Sequence, residues 1–79
     1  MEINDAIGKI GKNIVKKRKQ KKMTQQSLAT QSGLSISYLR RVEHGTANAS
    51  IDVLLRISSS LEIPVDSLVQ TDFPEGQGD

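Results

Sequence analysis

Apolar residues along the chain recur at intervals of three and four positions, the spacing of helices that bury one face. The pattern predicts a first helix over residues 5–22, with an apolar stripe of Ile7, Ile10, Ile14 and Val15. Four more helices are predicted, over residues 25–31, over residues 36–43, after the cap Ser50 as far as Leu61, and over residues 65–69. The apolar stripe of the fourth helix consists of Ile51, Leu54, Leu55, Ile57 and Leu61. We therefore expect an all-α fold, a compact bundle of five helices.

Two short helices joined by a tight turn are predicted within residues 24–45. Thr24 and Ser35 each stand just before a helix, where a side-chain oxygen can accept a hydrogen bond from an amide of the first turn. Gly33 can adopt a positive φ without strain, so the chain can reverse within a few residues. The arrangement is a helix-turn-helix.

The second helix of this pair is predicted to be buried on one side only. Leu39 and Val42 recur at i and i+3 and hold it to the core. Gly45 stands where a glycine often ends a helix. The outward residues are polar or amphipathic: Ser35, Ser37, Tyr38, Arg40 and Arg41. The pattern predicts a polar, cationic face.

Charge is divided between the two ends of the chain. Eight of the eleven Lys and Arg residues lie between Lys9 and Lys22, a stretch without an acidic residue, and five of the nine acidic residues lie from Glu62 onward. A basic end of this kind attracts a polyanion, although a solvated helix face is the simpler interpretation. Lys17 and the lysines after it either suit the negative end of the helix dipole or contact a phosphate backbone.

Length and composition narrow the function. Seventy-nine residues predict one domain over residues 1–70 and a flexible acidic tail over residues 71–79, from which Phe73 could pack back. With no cysteine, one histidine and no catalytic constellation, we expect no enzyme, no metal or other cofactor, and no small-molecule ligand. No apolar run approaches ~18 residues and the N-terminus lacks a signal-peptide core, so we expect a cytoplasmic protein without a membrane span.

From Ile14 through Val69 the chain resembles the Cro/lambda-repressor-like (XRE) family of five-helix DNA-binding domains. Three segments in the family's order carry the resemblance: RKQKKMTQQSLATQSGLS, SYLRRVEHG and SIDVLLRISSSLEIPVDSLV. Small regulators of this family, including restriction–modification controller proteins and biofilm-regulator-type repressors, are similar in length and in the S-Y-L segment. Lys22 departs from the family pattern, which often has a glycine there to close the first helix.

The resemblance implies roles for individual residues. Gln25 would bond a phosphate and brace the recognition helix, and Arg18 and Glu43 would form a buried structural ion pair. The side chains that face base edges would be Ser35, Ile36, Ser37 and Arg41. Those that meet phosphates would be Tyr38, His44, Thr46 and Asn48. The implied function is regulation of transcription through sequence-specific binding of double-stranded DNA, as activator or as repressor.

Side-chain chemistry refines these roles. The guanidinium of Arg41 can fork onto guanine O6 and N7 in the major groove. Arg40 is rotated by ~100° from it, and therefore points at the DNA backbone or at solvent. Ile36 either contacts a thymine methyl or leans on the protein. For His44, a phosphate contact and a plain surface position are both open.

One recognition helix reads too few base pairs to single out a site, so we expect a homodimer on a two-fold operator. The predicted dimer surface consists of surplus apolar residues near the end of the domain: Ile63, Val65, Leu68 and Val69. Their alternative role is to complete a small core. A second class of function is an antitoxin or another interaction subunit, in which the helix-turn-helix docks a partner protein.

Overall fold

Five helices follow one another in residues 2–70, the part of the chain that the computed structural model describes. They are α1 (Ile3–Gln20), α2 (Gln25–Ser32), α3 (Ile36–Glu43), α4 (Ile51–Leu61) and α5 (Asp66–Val69). This is the all-α arrangement predicted from the sequence. No helix in this range is both long enough and apolar enough to span a bilayer. The predicted tail over residues 71–79, with Phe73, lies outside the described residues.

Side-chain caps define the starts of three helices. The hydroxyl oxygen of Thr24 accepts from the Ser27 amide at 3.0 Å, and that of Ser35 accepts from the Tyr38 amide at 3.1 Å. The hydroxyl oxygen of Ser50 plays the same part at the start of α4. Each bond satisfies an amide that the first turn of a helix leaves unpaired. Because these caps are local, α2, α3 and α4 begin where the sequence predicts.

Residues with positive φ follow the first four helices. Gly33 and Gly45 adopt φ of 69° and 76°, while Lys22 and Glu62 adopt 57° and 58°. Glycine adopts this conformation without strain. In a residue with a Cβ the same conformation raises the free energy of the folded state by about 1–2 kcal/mol. The strained positions are therefore Lys22 and Glu62. Since the chain turns at Lys22, α1 ends two residues earlier than the predicted range of 5–22. The helix also begins two residues earlier, at Ile3.

A single aliphatic core joins all five helices. Its fully buried large side chains come from every helix: Ile14, Leu28, Leu39, Ile57, Leu61 and Leu68. The core holds α3 by one side and leaves its other side free.

The apolar face of α4 is narrower than the sequence pattern suggests. Its buried residues are Leu54, Ile57, Ser58 and Leu61. Leu55 is 49% exposed and Ile51 is 63% exposed. The spacing of 54, 57, 58 and 61 places Ser58 rather than Leu55 on the inner side of the helix. The hydroxyl of Ser58 is satisfied by donating to the Leu55 carbonyl at 3.0 Å.

Close backbone contact sets the position of α3 against α1. A Cβ placed on Gly11 would lie 2.5 Å from the carbonyl oxygen of Glu43 and 2.6 Å from that of Val42. One on Gly45 would lie 2.9 Å from the Cα of Gly8. The glycines therefore allow the end of α3 and the loop after it to rest directly on α1.

The short helix α5 is fastened to α1 by a side chain. Asn13 donates from Nδ2 to the carbonyls of Leu68 and Gln70, both at 2.9 Å. Leu68, whose carbonyl is one of these two acceptors, has a fully buried side chain. A four-residue helix is too short to be stable by itself, so its place depends on these contacts.

Candidate nucleic-acid interface

Helix α3 presents a row of polar side chains away from the core. Leu39 and Val42 are 0% and 2% exposed and fix the inner side of the helix. Ser37, Arg40 and Arg41 are exposed. The resulting surface is polar and cationic and faces away from the core.

At the start of α3, exposed and packed side chains alternate. Ser35 is exposed and accepts from the Tyr38 amide, which leaves its own O–H free to donate elsewhere. Ile36 and Tyr38 are half-buried and pack against the core. Ile36 thus packs against the protein, which is one of the two roles considered for it from the sequence. A contact of its exposed part with a thymine methyl stays a prediction, as does a phosphate contact by Tyr38.

Arg18 and Glu43 form a nearly buried ion pair between α1 and the end of α3. Arg18 Nε lies 2.8 Å from Glu43 Oε2, and the two side chains are 11% and 3% exposed. Arg18 also donates from Nη2 to Glu43 Oε1 at 3.2 Å and from Nη1 to the Met23 carbonyl at 3.0 Å. The opposite charges satisfy each other and tie α3 to the helix on which it rests.

Gln25, the first residue of α2, contacts α3 at two points. Its Nε2 donates to Glu43 Oε1 at 2.8 Å, and its Oε1 accepts from Arg40 Nε at 3.3 Å. Gln25 therefore braces α3 from the side of α2. The phosphate contact implied for Gln25 stays a prediction. The bond to Arg40 joins residues 15 positions apart, and no sequence signal indicates it.

The loop after α3 exposes three polar side chains, those of His44, Thr46 and Asn48. The hydroxyl of Thr46 donates to the carbonyl of Arg41 at 3.1 Å. A threonine hydroxyl has one proton to donate, so a phosphate would have to displace this bond. His44 and Asn48 have no such constraint from the described hydrogen bonds.

Lysines at the end of α1 add positive charge near the start of α2. Lys19, Lys21 and Lys22 are exposed, and Lys17 is half-buried. They precede Gln25 by only a few residues, so they lie near the start of α2. Positive charge along this edge suits a polyanion.

The predicted dimer surface requires a correction. Leu68 is fully buried within the core of one chain, so its assignment to a subunit interface is wrong. Ile63 and Val65 are half-buried and also pack against the core. Val69 is 38% exposed and remains a candidate. Ile51 and Leu55 are also exposed and belong to α4, where the sequence pattern assigns them to the buried face.

No metal site is evident in residues 2–70. That range contains no group of three or more His, Cys, Asp or Glu residues placed to hold an ion. The exposed side chains of α3, those of Ser37, Arg40 and Arg41, offer hydrogen bonding and positive charge.

The chain matches one family model and is similar to several known proteins. The family model HTH_3, described as "Helix-turn-helix", matches residues 14–68. The immunity repressor protein of Bacillus phage phi105 is 37% identical over 60 residues, which cover 76% of this chain and 42% of the repressor. This chain therefore spans less than half the length of that relative.

Two solved structures share the fold. The restriction-modification controller protein C.AhdI from Aeromonas hydrophila superposes with a TM-score of 0.77 at 34% identity, over 78% of this chain and 94% of the controller. The restriction-modification controller protein C.Esp1396I superposes with a TM-score of 0.72 at 26% identity, over 91% of this chain and all of the controller. The arrangement of α2 and α3 thus recurs in proteins named as controllers.

Proposed function

The chain belongs to the helix-turn-helix family, and on that premise we propose that it is a sequence-specific, DNA-binding regulator of transcription. The observation that carries the proposal is the outward row of Ser37, Arg40 and Arg41, held away from the core by buried Leu39 and Val42. The names of the relatives, a repressor and two controller proteins, agree with it. On this proposal the protein acts in the cytoplasm, on DNA.

In the proposed complex α3 lies in the major groove, which is roughly 12 Å wide and shows a distinct pattern of donors, acceptors and methyl groups for each base pair. Arg41 reads guanine, while Ser35, Ile36 and Ser37 contact neighbouring base edges. The phosphate contacts come from residues around the rim of this face: Lys17, Gln25, Tyr38, Arg40, His44, Thr46 and Asn48. These contacts fix the orientation of α3 and the base contacts supply the specificity.

The proposed active form is a homodimer on a two-fold operator. Eight residues of α3 extend only about 12 Å, which is too short to define a site in a genome. Dimers of helix-turn-helix proteins place two recognition helices one DNA turn apart, about 34–36 Å. The exposed side chains of Leu55 and Val69, with the exposed parts of Ile63 and Val65, offer an apolar surface for the second copy.

Selection of duplexes from a randomised DNA pool at ~150 mM salt tests the proposal. We expect enrichment of an inverted repeat whose half-site centres lie about ten base pairs apart. Recovery of DNA without an enriched sequence would contradict sequence-specific regulation, because contacts to the backbone alone carry no sequence information.

The role of Arg41 is tested on the selected duplex. Arg41→Ala should weaken binding by about 5- to 150-fold, the range of ~1–3 kcal/mol for a bidentate contact with guanine, and should relax the preference at one base pair of each half-site. Arg56→Ala is the matched control: it removes an exposed arginine from α4 that pairs with Asp52 at 3.2 Å. Equal losses in both variants would contradict base readout by Arg41.

A further inference from the structure

We propose that one side of α1 is a binding surface for the acidic segment of residues 71–79 of the same chain, and that this segment competes there with DNA. The surface, named here the lysine face, surrounds Asn13 and consists of the four lysines within one turn of it: Lys9, Lys12, Lys16 and Lys17. The contact is independent of the proposed function. The competition rests on that function, because Lys17 is one of the proposed phosphate contacts.

The lysine face lies on a side of α1 that the core leaves open. The helix buries three other residues: Gly11, Ile14 and Arg18. In the lysine face, Lys12 and Lys16 are exposed, and the other two lysines are half-buried. Lys16 and Lys17 follow Asn13 by three and four positions. Residues with this spacing are neighbours on a helix, with about 5–6 Å between their Cβ atoms. The lysines therefore form one patch around Asn13.

The described chain leaves the positive charge of this patch unbalanced. Residues 9–22 include eight Lys and Arg residues and no acidic residue. Within residues 2–70, none of Lys12, Lys16 and Lys17 forms an ion pair with a carboxylate. Like charges four positions apart on a helix repel each other. An acidic partner would relieve this repulsion.

Two hydrogen bonds place the start of the acidic segment at this patch. Nδ2 of Asn13 donates to the carbonyls of Leu68 and Gln70, both at 2.9 Å. Gln70 is therefore held at the centre of the lysine face. Asp72 follows two residues later, and two residues span at most about 7 Å. The carboxylate of Asp72 can thus reach ammonium groups that lie one helical turn from the anchor.

The charge and length of the segment complement the patch. Residues 71–79 include three acidic residues and no Lys or Arg. Residues 2–70 include eleven basic and six acidic residues, a net side-chain charge of +5, so the charge of −3 on the segment would offset more than half of it. Glu75, five residues beyond Gln70, can reach about 17 Å from it. The 18 residues of α1 extend about 27 Å, so much of the helix is within reach.

Covalent attachment makes this weak interaction effective. Exposed ion pairs are individually weak and are screened by salt. A segment that is joined to its surface by a short linker has an effective concentration in the millimolar range, which exceeds that of any second chain at tens of micromolar. The segment therefore occupies the lysine face of its own chain, and DNA phosphates must displace it. This competition lowers the affinity for DNA of any sequence, because phosphate contacts carry no sequence information.

Carbodiimide cross-linking of the full chain tests the contact. The reagent joins a carboxylate to an amine where the two meet, and mass spectrometry of the digested protein identifies the pair. We expect Asp72 and Glu75 to link to the lysine face at about 20 mM KCl. The links should be lost at about 1 M KCl, where the Debye length is only ~3 Å. An equal mixture of ¹⁴N- and ¹⁵N-labelled protein shows whether both ends of a link belong to one chain.

Three results of this experiment would overturn the contact. The first is the absence of links to the lysine face, or an equal yield of them at both salt concentrations. The second is that Asp72 links to Lys21 or Lys22 as readily as to the lysine face, because attachment alone would then explain the links. The third is that the links join chains with different labels.

Binding of a 24-base-pair duplex of mixed sequence at about 50 mM KCl tests the competition. The segment variant combines Asp72→Asn with Glu75→Gln. The control variant combines Glu62→Gln with Asp66→Asn, which neutralises two exposed residues of the domain and gives the same net charge. We expect the segment variant to bind about 2- to 5-fold more tightly than the control variant, an effect of the size of one exposed ion pair.

Equal affinities of the two variants, at equal helix content by circular dichroism, would overturn the competition, because net charge alone would then explain any gain over the wild type. A wild-type protein that binds no duplex would refute the proposed DNA binding. The cross-links form in the absence of DNA, so they would still decide whether the segment contacts the lysine face.

Discussion

The two glycines of α1 have different roles, although they are only three positions apart. A Cβ on Gly11 would lie 2.5 Å from a backbone oxygen of α3, closer than real Cβ atoms come to other atoms. Alanine favours a helix over glycine by about 0.8–1.0 kcal/mol, but overpacking against backbone costs about 1–3 kcal/mol. We therefore expect Gly11→Ala to destabilise the protein by about 1–2 kcal/mol in urea unfolding.

Gly8→Ala on the same helix is the control for this prediction. A Cβ on Gly8 would meet no atom within 4 Å, so only the helix preference remains and the variant should gain about 0.5–1 kcal/mol of stability. Stabilisation by both variants would show that helix propensity, and not the contact between α1 and α3, governs Gly11.

Burial determines how much an ion pair contributes to the free energy of unfolding of this protein. Glu43→Ala strands the nearly buried guanidinium of Arg18 and should cost about 3–5 kcal/mol of unfolding free energy. Asp52→Ala breaks a pair with Arg56 whose side chains are 69% and 52% exposed, and should cost under about 1 kcal/mol. Denaturant unfolding of both variants at one ionic strength gives the comparison. A loss of under about 1 kcal/mol in Glu43→Ala would mean that the buried pair contributes no more than an exposed one.

Features that depend on neighbouring residues could be predicted from the sequence. Thr24, Ser35 and Ser50 predicted the starts of α2, α3 and α4, because a cap acts within three residues. The spacing of Leu39 and Val42 predicted which side of α3 is buried. Residue pattern alone therefore sufficed for the helix-turn-helix, before any comparison with known proteins.

Features that depend on distant residues could not be predicted in this way. The need for glycine at position 11 comes from α3, and the bond between Gln25 and Arg40 comes from the angle between α2 and α3. The apolar residues near the end of the domain, from Ile63 to Val69, have two interpretations from the sequence: they form a dimer surface or they complete the core. The structure divides it, with Leu68 in the core and Val69 partly exposed.

At the scale of the helix, α5 contributes one side chain to the core. Leu68 is fully buried while its neighbour Val69 is 38% exposed. Leu68→Ala should cost about 2–5 kcal/mol through the cavity that it leaves, and Val69→Ala should change stability by less than about 0.5 kcal/mol. Unfolding measured at low protein concentration separates this effect from any association between chains. A small loss in Leu68→Ala, comparable to that in Val69→Ala, would contradict the core assignment.

At the scale of the whole molecule, the proposed homodimer would cover exposed apolar side chains such as that of Leu55. Leu55 is 49% exposed on α4, and half of its surface meets no other group of the described chain. In a homodimer this side chain would leave water, and removing apolar surface from water is favourable by about 25 cal/mol per Å². A charge in its place would have to be desolvated at the interface, a cost that dimerisation must overcome.

We therefore expect the wild-type protein to sediment as a dimer at tens of micromolar and Leu55→Glu to sediment as a monomer with unchanged helix content. Thr30→Glu is the control, because it places the same charge on an exposed position of α2 and should remain dimeric. On the selected duplex the monomeric variant should lose its preference for the inverted repeat over a single half-site, since two copies of α3 are then no longer held one DNA turn apart. A wild-type monomer at these concentrations would contradict the preformed dimer. A Leu55→Glu protein that still dimerises would move the interface away from this face of α4, while leaving the two-copy requirement for specificity in place.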